Sequence, residues 1–139
     1  MLLIFVIGGI FGFLYEELFY RIDLGYFVKR GTTSGPWIPI YGFGAVAILL
    51  LARPHVRSPW RVFVYSLLAA GVLEFLTGLF LHRRFGVRLW DYNAEIWNWF
   101  NIGGYICLRS VLFFGVSGLL LCYVVYPLLC RITEPLSER

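Results

Sequence analysis

Charged side chains occur within or near the ends of long apolar runs of this sequence, where burying a charge costs free energy. Glu74 lies about midway along its run, while Glu16 and Arg109 lie near the ends of theirs. An ionisable group at membrane depth indicates a substrate, ion or proton site by default. A carboxylate at Glu74 needs either a proton or a partner that stabilises its charge. Arg109 and the hydroxyl groups of Tyr15 and Tyr41 are the partners that we consider.

Other interpretations of the same residues stay open. Glu74 could be a buried polar clasp that fixes the register of neighbouring helices, or its carboxyl group could extend to the membrane interface. Arg109 lies one turn inside the last apolar run, so its long side chain could also reach the interface. If the role of Glu74 is functional, Glu74→Gln should leave the protein folded.

A second polar motif is Trp90-Asp91-Tyr92-Asn93. Asp and Asn favour turns, and Trp and Tyr favour the boundary between hydrocarbon and water. The motif is therefore either an aromatic belt with a turn or a cap over a cavity between helices. In the second interpretation Asp91 and Asn101 face inward.

Several kinds of chemistry have no motif in this sequence. It contains no Gly-x-x-x-x-Gly-Lys phosphate loop, no Ser-His-Asp pattern with a plausible histidine, and no metal-ligand spacing. We therefore expect no cofactor and no metal, and an enzyme is the less favoured class. The net charge of +4 comes from Lys and Arg beside apolar runs, which is typical of membrane proteins and does not indicate a nucleic-acid partner.

The elements that must position these residues are membrane helices. The 139 residues are 60% hydrophobic and only 14% charged, which excludes an ordinary soluble domain. A span needs about 20 apolar residues. The apolar runs predict an all-α membrane protein with four transmembrane helices, in one integral membrane domain covering residues 1–139. The predicted helices are about 2–20, 38–52, 62–81 and 105–130, with an aromatic interfacial segment at 89–104.

The second predicted helix has an unusual beginning. Gly35 to Gly44 contains two prolines and three glycines within an apolar stretch. Lipid cannot satisfy the backbone groups that proline leaves unpaired, so this segment must lie at the interface or pack inside protein. Ile40 to Ala52 is roughly 20 Å long as a helix, against about 30 Å of hydrocarbon. We expect a non-helical lead-in, with Pro39 in the first helical turn. Alternatively, the helix begins deep in the bilayer.

The first and second helices carry further signals of packing and orientation. Gly8, Gly12 and Glu16 are spaced on one face, which permits close helix contact and directs Glu16 toward protein. Four spans place both termini on one side. The basic residues of the two sides nearly balance, and the short, purely basic connection at 53–61 favours cytoplasmic termini.

Five motifs occur together in a recognisable order. They are Gly12–Glu16, Gly35–Gly44, Leu73–Gly78, Trp90–Asn93 and Asn101–Leu108. From about residue 8 to residue 121 the chain resembles the bacterial membrane-protein family labelled putative ABC-transporter type IV. The Pro-Ile-Tyr-Gly-Phe-Gly and Trp-Asp-Tyr sequences carry most of the resemblance.

The resemblance implies a transport permease subunit in the bacterial inner membrane, in contact with membrane lipids. It would associate with further copies of itself or a partner membrane subunit, and with a separate ATPase subunit. The alternatives are a lipid-binding or lipid-modifying membrane protein and a non-catalytic membrane partner. The residues expected to contact the substrate are Glu16, Tyr41, Glu74, Asp91, Tyr92, Asn101 and Arg109.

Overall fold

The computed structural model describes residues 1–28 and 35–137, with side chains described to residue 134. In these ranges the chain is helical and forms no β-strand, apart from one isolated antiparallel bridge between Ile102 and Ile106. Lys29 and Arg30, between the first and second predicted helices, lie outside the described residues. The helices are α1 (Leu2–Leu24), α2 (Pro39–Ala52), α3 (Pro59–Phe85), α4 (Leu108–Leu120) and α5 (Tyr126–Ser137), with a π-helical turn at Leu121–Val125 between the last two.

Three stretches of helix are long and apolar enough to cross a membrane: Leu2–Leu24, Pro59–Phe85 and Leu108–Glu134. The all-α membrane class is confirmed, but the described residues contain three helices of spanning length where four were predicted. The difference is α2, which has 14 residues and is about 21 Å long. Pro39 stands at its start, and Pro54 in the following 3-10 turn ends it.

The predicted helix at 105–130 begins later and continues further than expected. Gly103 and Gly104 adopt positive φ, and the bridge to Ile106 keeps the chain extended up to Cys107, so α4 begins at Leu108. Pro127 does not end the helix. Because proline has no N–H to bond the carbonyl four residues earlier, the preceding turn widens to π geometry and the helix resumes as α5.

Close backbone contacts hold α1 against α2. A Cβ atom at Gly42 would lie 2.7 Å from the backbone oxygen of Phe5, and one at Gly8 would lie 2.6 Å from Cβ of Ala45. The predicted close packing along the glycine face of α1 is therefore confirmed. The apolar core continues from this contact into α3, α4 and the π-helical turn, and its buried members are Ile4, Ile48, Leu49, Ala52, Val62, Ala70, Phe114, Leu121 and Cys122.

The lead-in to α2 is non-helical, as predicted, and it packs on protein. The backbone N–H of Ile38 donates to the carbonyl oxygen of Gly9 at 3.0 Å, so a donor outside any helix is satisfied by α1. Gly9 lies roughly 10 Å along α1 from Leu2. The helix α2 therefore begins well within the length of α1 rather than at its end.

Candidate functional site

Residues 86–107 connect α3 to α4 as a folded segment, which we call the connecting segment. Its own hydrogen bonds shape it: the Tyr92 N–H donates to the Gly104 carbonyl at 3.0 Å, and the Trp90 indole donates to the Tyr105 carbonyl at 3.0 Å. A Cβ atom at Gly104 would overlap the Asp91 side chain, and its φ is +80°, so both space and backbone geometry require glycine there. The segment thereby holds Tyr92 against the helices.

Tyr92 provides the partner of the intramembrane carboxylate. Its buried hydroxyl donates to Oε1 of Glu74, which is 5% exposed. Oε2 of Glu74 has no hydrogen-bond partner. Ser110 lies beside Glu74, but its hydroxyl donates to the Cys107 carbonyl at 2.9 Å. The hydroxyl that stabilises Glu74 is therefore that of Tyr92, and neither Arg109, Tyr15 nor Tyr41 supplies the bond.

Arg109 pairs with an acidic residue of the connecting segment instead. Its Nη2 lies 2.6 Å from Oε2 of Glu95, and both side chains are largely buried, at 13% and 5% exposed. Oε1 of Glu95 accepts a hydrogen bond from the Tyr20 hydroxyl, and the guanidinium carbon of Arg109 lies 3.7 Å from the ring centre of Phe19. These contacts fasten the connecting segment to both α1 and α4.

Burial raises the pKa of Glu95 to about 7, and the adjacent Arg109 opposes this shift by favouring the ionised form. Because the folded protein binds this proton more tightly than an unfolded chain does, protonation of Glu95 stabilises the fold. That contribution is fully present below the ordinary carboxyl pKa of about 4.3 and is lost as the pH rises through about 7. Burial also raises the pKa of the Tyr92 hydroxyl, which therefore stays protonated and able to donate.

Glu16 forms the second polar contact at this level of the helices. The Tyr41 hydroxyl donates to Oε1 of Glu16 at 3.0 Å. The ring of Tyr41 lies against Gly12, where any Cβ atom would overlap it. The glycine of α1 and the first turn of α2 therefore together place this hydroxyl beside the carboxylate.

A cavity of about 110 Å³ lies between α1, α2, α3 and α4 and is bounded by Trp90 and Tyr92 of the connecting segment. Its walls are mainly apolar, and its acidic groups are Glu16 and Glu74. Among the described residues that line it, none is Lys, Arg or His. A much smaller pocket of about 10 Å³ includes Glu95 and Arg109. Residues 1–28 and 35–137 contain no group of three or more His, Cys, Asp and Glu side chains that could hold a metal ion.

The family model described as "Putative ABC-transporter type IV" matches residues 3–139, nearly the whole chain. The chain belongs to this family. No curated protein and no solved structure matches the chain significantly. The family and the three helices of spanning length together make it a helical membrane protein of a transporter-associated family.

The structure of this type IV family member brings five of the seven expected site residues together. Glu16, Tyr41, Glu74 and Tyr92 line the larger cavity. Arg109 lines the smaller pocket, to which Glu16, Tyr41 and Tyr92 also contribute. Their roles toward a substrate stay a prediction.

The other two expected residues take part in turns of the connecting segment. Asp91 accepts from the backbone N–H of Asn93 at 3.0 Å and lies 3.7 Å from Arg88. Asn101 donates to Asn93 and accepts from the Gly104 N–H at 2.8 Å. Neither residue lines either cavity, and this placement matches the turn interpretation of the motif rather than the inward-facing one.

Sequence reasoning missed Glu95. It stands in a polar, aromatic stretch predicted to lie at the interface, where an acidic residue is unremarkable. The available signal was Arg109, a cation at the start of an apolar helix that needs a counter-charge. That signal does not indicate which acidic residue pairs with Arg109.

Proposed function

We propose that this chain is a membrane permease subunit of an ABC-type transport system and that the 110 Å³ cavity holds its substrate. The observation that carries the proposal is Glu74. Its carboxyl group is buried in an apolar cavity wall at the level of the membrane, and one of its oxygens has no hydrogen-bond partner. Leaving such a group unsatisfied is costly, so a ligand that donates to it gains affinity.

The proposal includes a fourth membrane crossing made by α2 together with its lead-in. Support comes from the bond between Ile38 and Gly9, which satisfies non-helical backbone within protein, and from the burial of Ile48 and Ala52 near the far end of α2. A short helix completed by a protein-packed extended segment is compatible with hydrocarbon surroundings. Four crossings place both termini on one side of the bacterial inner membrane.

Energy for transport would come from a separate ATPase subunit, since these 139 residues contain no phosphate-binding loop. We assign its docking to the basic surface formed by the connection between α2 and α3 and the first turn of α3, where Arg57 and Arg61 are exposed. The guanidinium of Arg53 lies 4.1 Å from the Tyr126 ring centre, which ties this connection to the start of α5. Movement at the docking site would therefore reach α5 directly. A small subunit of this kind would also associate with further membrane subunits.

The test is purification in lipid nanodiscs, followed by mass spectrometry of everything that accompanies the protein. We expect an ATPase chain whose hydrolysis rate depends on this subunit. Substituting Arg57 and Arg61 with Gln should release that chain, whereas the matched change at Arg83 and Arg84, at the opposite end of α3, should retain it. Recovery of the subunit without any ATPase, from cells that express their own partners, would contradict the proposal.

A lipid-binding membrane protein is the second candidate, because the cavity walls are largely aromatic and aliphatic, with Phe11, Leu73 and Phe113 among them. In that case the purified protein should carry a stoichiometric lipid and no protein partner. The same mass spectrometry distinguishes the two candidates.

A further inference from the structure

Gly44 of α2 is a buried residue with open space beside it. It lines the larger cavity, yet a Cβ atom built there would meet no atom within 4 Å. Protein interiors are close-packed, so a buried glycine is normally covered by its neighbours, as Gly42 is by Phe5. Glycine also favours a helix less than every other residue except proline. The cavity is therefore open at the position where a larger side chain would fill it.

The size and walls of this cavity suit a small apolar group. The walls are mainly aliphatic and aromatic, with Ile40, Leu73 and Phe114 among them. The volume of about 110 Å³ is somewhat smaller than the 150 Å³ apolar cavity that holds benzene. The apolar body of a ligand is therefore limited to on the order of six carbon atoms.

Glu74 gives the cavity wall a polar atom that lacks a hydrogen-bond partner. Among the side chains that the structure describes, the buried nitrogen and oxygen atoms without a partner belong to Ser66, Glu74 and Arg109. Of these three residues, only Glu74 lines the larger cavity. The atom concerned is Oε2, since Oε1 accepts from the Tyr92 hydroxyl. A carboxylate oxygen accepts hydrogen bonds, so the ligand must bring a donor.

A neutral hydroxyl group fits this position better than a cation does. Moving a charged group from water into an apolar cavity at membrane depth is costly, whereas a hydroxyl group loses less hydration. The charges that act on Glu74 are of both signs, from Glu16 and from Arg109. Its surroundings therefore attract a further cation less than an isolated carboxylate would. A hydroxyl group supplies the one donor that Oε2 lacks.

We infer that the cavity binds a small aliphatic alcohol, whose hydroxyl group donates to Oε2 of Glu74 and whose apolar body occupies the space beside Gly44. This inference names the substrate class of the proposed transport site and rests on that proposal. Gly44 limits the size of the ligand, and Glu74 requires that the ligand carry a donor. Tyr92 positions the carboxyl group through its bond to Oε1.

Three probes of equal carbon content test the inference: hexanol, its isomer methyl pentyl ether, and hexylammonium. The ether has the same formula as hexanol but no hydrogen-bond donor. Binding is measured by isothermal titration calorimetry at pH 7 on the full chain in nanodiscs, with empty nanodiscs subtracted. Hexanol should bind at least about tenfold more tightly than the ether, because its hydroxyl group bonds to a charged acceptor. Hexylammonium should bind more weakly than hexanol, because its charge must be desolvated.

Glu74→Gln tests the polar contact. The N–H groups of an amide can donate to the ether and to the alcohol alike. The preference for hexanol over the ether should therefore fall below about threefold, while both probes still bind and show that the cavity remains folded. The control Glu134→Gln removes an exposed carboxyl group of α5 and should keep the full preference.

Gly44→Leu tests the apolar contact. A leucine side chain at this position fills the open space and should abolish saturable binding of hexanol, while an unfolding transition in mixed micelles shows that the variant is folded. The control Phe43→Leu places the same side chain at the neighbouring, exposed position and should keep the tenfold preference.

Five results would each overturn the inference. They are equal binding of hexanol and the ether, tighter binding of hexylammonium than of hexanol, no saturable binding of hexanol, an unchanged preference in Glu74→Gln, and unchanged binding in a folded Gly44→Leu. If Gly44→Leu does not fold, Glu74→Gln and the three probes still decide the inference.

The outcome is separable from that of the transport proposal. If an ATPase accompanies the subunit but the probes show no preference for the hydroxyl group, the substrate class is wrong and the transport proposal stands. If the preference is found without any ATPase, the transport proposal fails, and the cavity is an alcohol-binding site of another kind of membrane protein.

Discussion

Two glycines of α2 that lie two residues apart should respond to the same substitution in opposite directions. At Gly42 a Cβ atom would lie 2.7 Å from the backbone oxygen of Phe5 and 2.8 Å from its ring, closer than real Cβ contacts occur. At Gly44 the added methyl group meets nothing within 4 Å. The comparison isolates close helix packing from every general effect of replacing glycine with alanine.

The magnitudes follow from these distances. Replacing a glycine in a helix interior with alanine gains up to about 1 kcal/mol of stability from lower backbone entropy in the unfolded chain. At Gly42 the obstacle is backbone, so α1 and α2 must move apart, and overpacking of this kind costs about 1–3 kcal/mol. We therefore expect Gly42→Ala to be less stable than Gly44→Ala by about 2 kcal/mol, with Gly44→Ala at least as stable as the parent.

The assay is reversible unfolding in mixed micelles by titration with sodium dodecyl sulfate, followed by tryptophan fluorescence. Gly42→Ala should also weaken the contact between Tyr41 and Glu16, because that contact depends on how closely α2 approaches α1. If the two variants unfold within about 0.5 kcal/mol of each other, the tight contact between α1 and α2 is not present in the membrane and the reasoning fails.

Three further predictions concern the polar contacts of the connecting segment. Tyr92→Phe removes the hydroxyl that donates to Glu74 and should lower the free energy of unfolding by about 1–3 kcal/mol in the same assay. The control Tyr123→Phe removes an exposed hydroxyl and should lower it by less than about 1 kcal/mol. Equal losses in the two variants would contradict the assigned bond. Because the pKa of Glu95 is raised to about 7, the stability of the parent relative to Glu95→Gln should fall between pH 5.5 and pH 8.5. A difference in stability that does not change with pH would refute the raised pKa. Arg109→Gln removes the nearby positive charge and should move this pH-dependent loss of stability to higher pH. Unfolding measured at intervals of half a pH unit follows the shift, and a shift to lower pH would exclude the ion pair.

The lead-in to α2 shows what the local sequence can predict about the fold and what it cannot. Prolines at 36 and 39 remove backbone donors, so a non-helical segment, either at the interface or packed inside protein, could be predicted without a structure. Its partner, the carbonyl of Gly9, could not, because a backbone acceptor in a helix leaves no sequence signal. Four helices of spanning length were predicted, whereas the described part of the chain contains three, for a related reason. An apolar composition marked α2 as membrane-embedded, but the prolines on both sides limit it to 14 residues.

The candidate site, too, could be predicted from the sequence only in part. That Glu74 needs a partner follows from its position in an apolar run, and that α1 packs through glycines follows from their spacing. The partner was not among the three candidates considered, since Arg109 bonds to Glu95 and Tyr92 bonds to Glu74. Several acceptors and donors of suitable chemistry were available, and spacing along the chain does not rank them.

The sequence by itself determined that this protein is helical and lies in a membrane. Hydrocarbon requires every backbone group to be bonded within the protein, and long apolar runs satisfy that requirement locally as helices. Only the tertiary structure decided which side chains meet in the cavity. Those contacts depend on how residues 86–107 fold back between α3 and α4, and that path is set by turns and packing between residues distant in sequence.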